Sequence, residues 1–472
     1  MASLTRREFL GRAAAATASF ALSSRLSPLL GANDTIRVAV VGINSRGGAH
    51  IAGLQKLEGV EVAYLVDPDT RLFPRRIKQV EELGGRAPKC VQDLREALDD
   101  KNVDAISIAS CNHQHCLQTI WACQAGKDVY VEKPLSQNVH EGRIAVEIAR
   151  KYERVVQYGT GRGARGDVIA ALAGKGTYGR LLVSRGLCYK RRESIGFRQP
   201  TAPPNELDFD LWCGPAAKND YHENLVHYNW HWFWEYGNGD IGNQGAHEMH
   251  AALHAIPDAT LPRRVASIGG RFGYVDQGWT ANTQVAVFDY GDTQLIFEVR
   301  GLETDRYYGQ GVGNTFHFEE GVVAGESFYP KGGKEPEPVA AVEPDRISGG
   351  GNFEEFIKAM RSRDKKLLDW NIETAHYSSA LCHLANISYR LGKRVTFSGI
   401  PDPFPGNEPA NETFVRMADH LKGNGLKTEN SSYRLGRAME FDLATEKFIA
   451  DEQANALLTR AARPPYVIPD KA

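Results

Sequence analysis

The feature that most constrains this chain is a strand, a glycine turn, a helix, a second strand and an acid, all within about 30 residues. Ile36-Arg37-Val38-Ala39-Val40-Val41 has the β-branched, nearly continuous apolar content of a strand buried on both faces. Gly42-Ile43-Asn44-Ser45-Arg46-Gly47-Gly48 turns out of it, and from Ala49 onward Ile51, Leu54 and Leu57 recur at helical spacing. Val60 to Val66 reads as the next strand and closes at Asp67-Pro68-Asp69. A dinucleotide site needs these parts. N–H groups at the helix start face a pyrophosphate, and the acid at the second strand end, Asp67, accepts hydrogen bonds from the adenosine ribose. A carboxylate there repels a 2′-phosphate and favours NAD over NADP, although Arg71 lies close enough to pull the other way. Asn44 stands where a second glycine is usual; it tolerates positive φ but carries a side chain. The expected cofactor residues here are Gly42, Asn44, Ser45, Arg46, Gly47, Asp67 and Arg71.

The alternation continues. Lys89 to Gln92 is a short strand, Asp93 caps a helix through Leu98, and Val103 to Ala109 is a buried strand ending at Ser110-Cys111-Asn112. A helix from Gln114 to Ala125 leads to Val129-Tyr130-Val131-Glu132-Lys133-Pro134, a strand that Pro134 stops at once. A helix near Val139 to Tyr152 and a strand, Val155 to Tyr158, complete a parallel sheet, followed by Gly159-Thr160-Gly161-Arg162. Ligands of such sheets sit outside the carboxyl ends of the strands, which adds Ser110, Asn112, His115, Glu132 and Lys133 to the cofactor set. Lys133 could polarise a substrate oxygen there. The run Cys111-Asn112-His113-Gln114-His115-Cys116 invites a zinc reading, but thiolate sites need wider spacing and a second pair, so no metal is assigned.

The glycine turn, Asp67, Ser110-Cys111-Asn112-His113-Gln114-His115 and Glu132-Lys133-Pro134 together resemble the Gfo/Idh/MocA oxidoreductases over roughly residues 36 to 400. The resemblance implies an N-terminal Rossmann domain followed by an α+β domain built on an open antiparallel sheet. It implies NAD as cofactor, a sugar or polyol substrate, and a homo-oligomer, dimer or tetramer, formed through that sheet. Lys133 matches the family's lysine near the nicotinamide and the reacting hydroxyl, and the bond before Pro134 is expected to be cis.

Farther along, Gly166 to Gly174 suggests a helix, Leu181 to Tyr189 a strand, and residues 193 to 228 an irregular stretch. The densest aromatic run follows, Tyr228-Asn229-Trp230-His231-Trp232-Phe233-Trp234-Glu235-Tyr236. Trp230 and Trp232 either stack on sugar rings or plug the space between domains. In Gly237 to His247 the family pattern has an aspartate and, four residues on, a histidine; His247 matches, while Asn243 replaces the aspartate. That spacing puts both on one helical face. A metal on His247, His250 and His254 lacks a carboxylate or thiol and is not adopted. The expected substrate residues are Arg162, Trp230, Trp232, Asn243 and His247. Val265 to Val275 and the hairpin of Gln284–Tyr290 with Thr293–Val299 read as half-buried antiparallel strands. Phe353 to Met360 and Ile372 to Tyr389 read as amphipathic helices, and Pro401 to Asn411 as a linker. Beyond it a C-terminal extension is expected to wrap the domain or a neighbouring subunit.

The N-terminus reads as an address. Thr5-Arg6-Arg7-Glu8-Phe9-Leu10 precedes an alanine-rich apolar segment, Ala13 to Leu30, which suggests twin-arginine export to the periplasm with a cut near Gly31-Ala32. The domain expectation is therefore signal 1–32, NAD domain 33–160, substrate domain 161–400 and extension 401–472. A net charge of -2 gives no electrostatic case for nucleic acid, and beyond the signal nothing has the ~18 apolar residues of a membrane span. Seven scattered cysteines argue against a disulfide framework. The expected activity is NAD-dependent oxidation or reduction of a secondary hydroxyl on a sugar, polyol or glycoside. His247 is the acid/base and Lys133 its electrostatic partner. Two rivals stay open: glycoside cleavage through transient oxidation and elimination, and a non-catalytic exported protein that holds NAD.

Overall fold

The computed structural model describes residues 35–160, 164–333, 335–344, 351–400, 402–461 and 463–472. The expected export signal and Arg162 lie outside the described residues. The first domain is a six-stranded parallel sheet made of β1 (Ile36–Val41), β2 (Val60–Val66), β3 (Lys89–Val91), β4 (Ala105–Ile108), β5 (Asp128–Glu132) and β6 (Val156–Gly159). Their spatial order is β3-β2-β1-β4-β5-β6. The chain doubles back between β1 and β4, and at that point the sheet opens its ligand crevice. All but the edge strand β3 are largely buried on both faces, which is why their sequences are apolar without alternation. Asp93 and Asn138 cap the helices that follow β3 and β5, each accepting a first-turn N–H.

The first helix, Arg46–Gln55, starts ahead of the expected Ala49 and takes in both Gly47 and Gly48. The reason is steric: a Cβ on Gly47 would lie 2.0 Å from Gly42 O, so the helix begins pressed against its own turn. The helix Phe353–Ser362 also belongs to this domain, burying Phe356 and Ile357 in one cluster with Val38, Val40 and Tyr130.

The second domain departs from an all-antiparallel sheet. Among the described residues its sheet has twelve strands and is mixed. β7 (Leu181–Tyr189) runs parallel to β10 (Gln294–Arg300) and antiparallel to β11 (Val312–Phe318), whereas β8 (Arg264–Gly270), β9 (Thr283–Asp289) and β10 pair antiparallel in succession. A parallel neighbour needs a long crossover. The stretch from β7 to β8 supplies it, and that same stretch carries the aromatic run and the helices of the site.

The sheet is open at its edges, and both of its faces are covered. One face packs on Ala246–His254 and Ile372–Arg390, whose Met249, Leu253, Leu381 and Leu384 share a core with Phe297 and Phe316. The other face carries Val183, Val285, Val287 and Ile296, and the C-terminal extension covers it with Phe404, Phe414, Met417, Leu421 and Tyr433. Ser432–Leu435 of the extension pairs with β8 and so completes the sheet. The cover is also pinned by charge: buried Glu298 of β10 binds Arg185 of β7 at 2.8 Å and Arg416 of the extension at 2.7 Å. Among the described residues no helix is long and apolar enough to cross a membrane.

Candidate active site

The carboxyl ends of β1, β2, β4 and β5 open onto a cleft of about 590 Å³, closed from the other side by the second domain. At its adenosine end Gly42 has φ +76°, and a Cβ there would meet Ser110 backbone at 2.5 Å. The turn therefore crosses the neighbouring strand end at a distance only glycine permits. Asn44, Ser45 and Arg46 line the cleft at the helix start, where first-turn N–H groups have no acceptor within the helix. Asn44 keeps a negative φ and takes a hydrogen bond from Arg75 on its side-chain oxygen, so positive φ is not what its position requires. Gly47 supports the turn from behind and does not face the cleft.

Asp67 is buried at the end of β2, accepting the N–H of Ile43 at 2.9 Å and that of Asp69 at 3.0 Å. Burial pushes its carboxyl up to about 6, against the lowering effect of those two backbone donors. Arg71 is a correction. Its Nε and Nη2 clasp Asp69 at 2.8 and 2.6 Å, and it does not line the cleft. The partner of Asp69 that sequence reasoning missed is His227, whose Nε2 lies 2.8 Å from Asp69 Oδ2. Around that contact residues 206 to 208 dock on the loop after β2, through Thr70 N–H to Glu206 O and Asp208 N–H to Pro68 O. The irregular stretch thus forms a roof with its own core of Phe209, Trp212, Tyr221 and Phe233, and it lies over the adenosine end.

At the end of β4, Ser110 donates to Gln118 at 2.7 Å, and Asn112 Nδ2 is buried at the cleft without a hydrogen-bond partner. An orphaned amide facing a cleft beside a glycine turn fits a bound dinucleotide, which would satisfy it. His115 is spent differently from expectation: its ring nitrogens meet Pro134 O at 2.6 Å and Ser110 O at 3.1 Å, tying two strand ends together. Burial lowers its pKa, against the raising effect of the two carbonyl contacts and of Glu132.

Glu132 closes β5 as an anchor. Arg46 Nε reaches it at 2.6 Å and the buried His50 Nε2 at 3.1 Å. Burial alone would raise its pKa, but the His50 hydrogen bond and the charges of His50, Arg46 and Lys133 hold it well below the usual carboxylate range. His50 was not anticipated; its signal was the four-residue spacing from Arg46 on the first helix. The Lys133–Pro134 bond is cis, and Lys133 Nζ donates to Asn243 O at 2.6 Å. Desolvation lowers the Lys133 pKa, opposed by Glu132 and Glu248.

Asn243 ends the short helix Gly239–Asn243, and His247 opens the next, Ala246–His254. The two are not on one continuous helix as expected. Gly245 sits between, where a Cβ would approach Ile241 O at 2.6 Å and Phe297 at 2.7 Å, so the chain breaks and restarts against the sheet. Both still line the cleft with Lys133, and His247 Nδ1 shares a hydrogen bond with Thr160 Oγ1 at 3.1 Å. Trp230 lines the cleft; Trp232 does not. Trp232 is buried beneath Arg271, 4.7 Å from its ring, because Asp276 pins that guanidinium in place. Lys190, Arg192, Trp212, His227 and Tyr228 also line the cleft and were not singled out. For the first two the visible signal was the basic run following β7. Among the described residues no group of His, Cys, Asp and Glu is arranged to hold a metal ion.

Comparison with known proteins agrees with this fold. Residues 36–160 match the oxidoreductase family's NAD-binding Rossmann fold, and residues 193–313 match the same family's C-terminal alpha/beta domain. The chain belongs to the Gfo/Idh/MocA oxidoreductase family. Its first domain is that family's NAD-binding Rossmann domain. Among relatives of the family, inositol 2-dehydrogenase of Rhodococcus jostii is 28% identical over 181 residues, 37% of this chain and 45% of that protein. A glycosyl hydrolase family 109 protein of Shewanella pealeana is 27% identical over 125 residues, 26% of this chain and 27% of that protein. Either match spans less than half of the relative's length. The fold is shared with aldose-aldose oxidoreductase from Caulobacter crescentus, at TM-score 0.52 and 14% identity over 75% of this chain and 97% of that one. It is shared too with the WlbA dehydrogenase from Bordetella pertussis, at TM-score 0.50 and 18% identity over 75% and 95%.

Proposed function

We propose that this protein is an NAD-dependent oxidoreductase acting on a secondary hydroxyl of a sugar, polyol or glycoside. One observation carries the reading: Lys133, at the strand end of the cofactor domain, reaches Asn243 of the second domain in the cleft that also holds the glycine turn and His247. Gly42, Asn44, Ser45, Arg46, Asp67 and Asn112 hold the NAD, which supplies the hydride acceptor when bound. Lys133 places a desolvated ammonium where an alkoxide develops, and a cation in such a site favours that charge more than it would in water. His247 takes the hydroxyl proton, its ring oriented by Thr160 Oγ1. Trp230 offers the substrate ring an apolar face. The test is a panel of sugars and polyols read at the NADH absorbance; no NADH from any of them, with NAD bound, would remove the oxidoreductase reading.

The roof over the adenosine end and the latch of His227 on Asp69 favour slow cofactor release. We infer that the protein is exported folded with NAD aboard, through the twin arginines Arg6-Arg7. All seven cysteines are free, consistent with folding completed in a reducing compartment. Since the extension covers the sheet face, an oligomer would use another surface. The second reading is glycoside cleavage, in which transient oxidation to a ketone at C3 acidifies the C2–H and permits elimination of the glycosidic substituent from C1. The glycosyl hydrolase family 109 relatives favour it. Aglycone release from an aryl glycoside without net NADH separates it from simple dehydrogenation.

A further inference from the structure

The cations of the cleft divide into answered and unanswered ones. Arg46 is answered by Glu132, and Arg192 by Asp240, which it grips with Nε at 2.8 Å and Nη2 at 2.5 Å. Lys190, which follows β7 directly, is different. Its Nζ has the neutral Gln244 Oε1 at 3.2 Å and, among the described residues, no carboxylate in ion-pair range. Gln244 is the neighbour of Asn243, whose main-chain oxygen holds Lys133 Nζ. Two adjacent residues thus present two ammonium groups to the same end of one cleft, each resting on a neutral oxygen. The charges of Glu132 and Glu248 act on Lys133, which leaves Lys190 as the ammonium without a carboxylate at ion-pair distance among the described residues. Asp67 belongs to the adenosine end, and Glu132 is tied to Arg46 and His50. A like charge beside Lys133 costs energy, and Lys190 does lower the Lys133 pKa. A neutral polyol leaves this excess in place, whereas an anionic group on the substrate would offset it in a partly desolvated site.

We propose that the natural substrate is a sugar carrying an anionic group, a carboxylate or a phosphate ester, and that Lys190 is the residue that reads it. The inference rests on the oxidoreductase reading only in placing the reacting hydroxyl beside Lys133. Lys190 stands at the substrate end, next to Gln244, and not at the helix start where the pyrophosphate is expected. Tyr228, half-exposed at the rim and held by Arg192 Nη1 at 3.2 Å, adds a ring face for the sugar.

The test uses the NAD-loaded protein and matched probes: glucose, galactose and mannose, each with its uronate and its 6-phosphate. Binding is read by calorimetry and turnover at the NADH absorbance. In at least one set an anionic member should bind ~10-fold or more tighter than its neutral parent, the scale of one charge-assisted hydrogen bond. The preference should shrink in high salt, and the uronate and phosphate arms separate the two anions. Lys190→Met should collapse the ratio through KM with little change in kcat, and Lys190→Arg should restore most of it. Neutral sugars binding as well as their anionic partners in every set would overturn the proposal. So would a Lys190→Met protein that loses NAD while keeping its sugar preference. Tight binding of an acid without any NADH supports this proposal and sinks the oxidoreductase reading; NADH from neutral sugars without anion preference does the reverse.

Discussion

On the wall of the cleft built by the parallel sheet, the acids are already engaged. Asp67 takes two backbone N–H groups, and Glu132 takes Arg46 and His50. The glycines of this wall are fixed by contacts of a few ångströms with the adjoining strand end, so it offers one shape. On the facing wall, Lys190 rests on an amide oxygen, Tyr228 stands half-exposed, and the residues come from a crossover that has no regular sheet of its own. A wall whose polar groups are satisfied by its own backbone suits a ligand that does not change from turnover to turnover. A wall with partly answered groups leaves its charge to be completed by whatever binds. Lys133 belongs to the first wall and donates to the second, which makes it the joint between them.

Removing that joint should have the largest effect. Lys133→Ala should leave NAD binding largely intact and cut turnover by ~10²-fold or more, the scale of a positioned electrostatic group. His247→Ala should act alike, since the acid/base contribution is of similar size. Stopped-flow measurement of NADH formation checks both, and near-parent turnover in either variant would take that residue out of the chemistry.

The fixed wall can be probed by pH. Asp67 has its folded-state carboxyl raised to about 6, above the ordinary value of 3.8. Its ionised form is therefore disfavoured in the empty protein, and apo stability should fall as pH rises from about 4 through 6. Ribose hydroxyls donate to the ionised form, so NAD affinity runs the opposite way: full above 6, and weaker by up to ~10-fold per unit as pH drops below it. Calorimetric titration between pH 8 and 5 reads this, and Asp67→Ser should flatten the profile while narrowing the gap between NAD and NADP. A flat profile in the parent would mean that Asp67 does not meet the ribose. A smaller effect is expected at the roof. His227→Ala should speed NAD release several-fold without changing the turnover of the loaded protein, measured by cofactor chase; unchanged release would show that the roof does not hinge on that contact.

The first wall was legible because its causes are local. The strand ends, Asp67, Glu132 and Lys133 all follow from apolar runs punctuated by Gly or Pro, and the first helix was missed only at its start, where Gly47 packs on Gly42 O. Arg71 falls outside the cleft because Asp69 holds it, whereas His115 lines the cleft with its ring nitrogens on main-chain oxygens; nothing in the local pattern says which nearby polar group will engage a side chain. The facing wall was far less legible. Lys190, Arg192 and His227 meet the cleft only through a crossover whose path depends on the parallel pairing of β7 with β10, a contact of high sequence separation. The covered face of the sheet was hidden for the same reason: the extension that covers it begins about a hundred residues after β10.

The two tryptophans of the aromatic run show the smallest expected effect and the sharpest use of the comparison. Trp230 and Trp232 are two residues apart and chemically identical, yet only Trp230 lines the cleft. Trp232 is 2% exposed, its ring under Arg271 and its main-chain oxygen accepting the N–H groups of Trp279 and Thr280. A ring so placed contributes to stability through burial and a cation–π contact worth about 0.5–2 kcal/mol, and it has no face left for a sugar. Trp232→Phe keeps an aromatic ring beneath the guanidinium and removes only part of the packed volume. It should lower the thermal midpoint by a few degrees while KM for the best substrate stays within ~2-fold of the parent, the ordinary range for a change outside a site. Trp230→Phe should show the converse, a raised KM with a smaller loss of midpoint, because Trp230 lines the cleft. Measuring midpoint and KM on both proteins decides it. A Trp232→Phe protein with parent stability and a several-fold higher KM would return that ring to the substrate and require the crossover to rearrange when sugar binds.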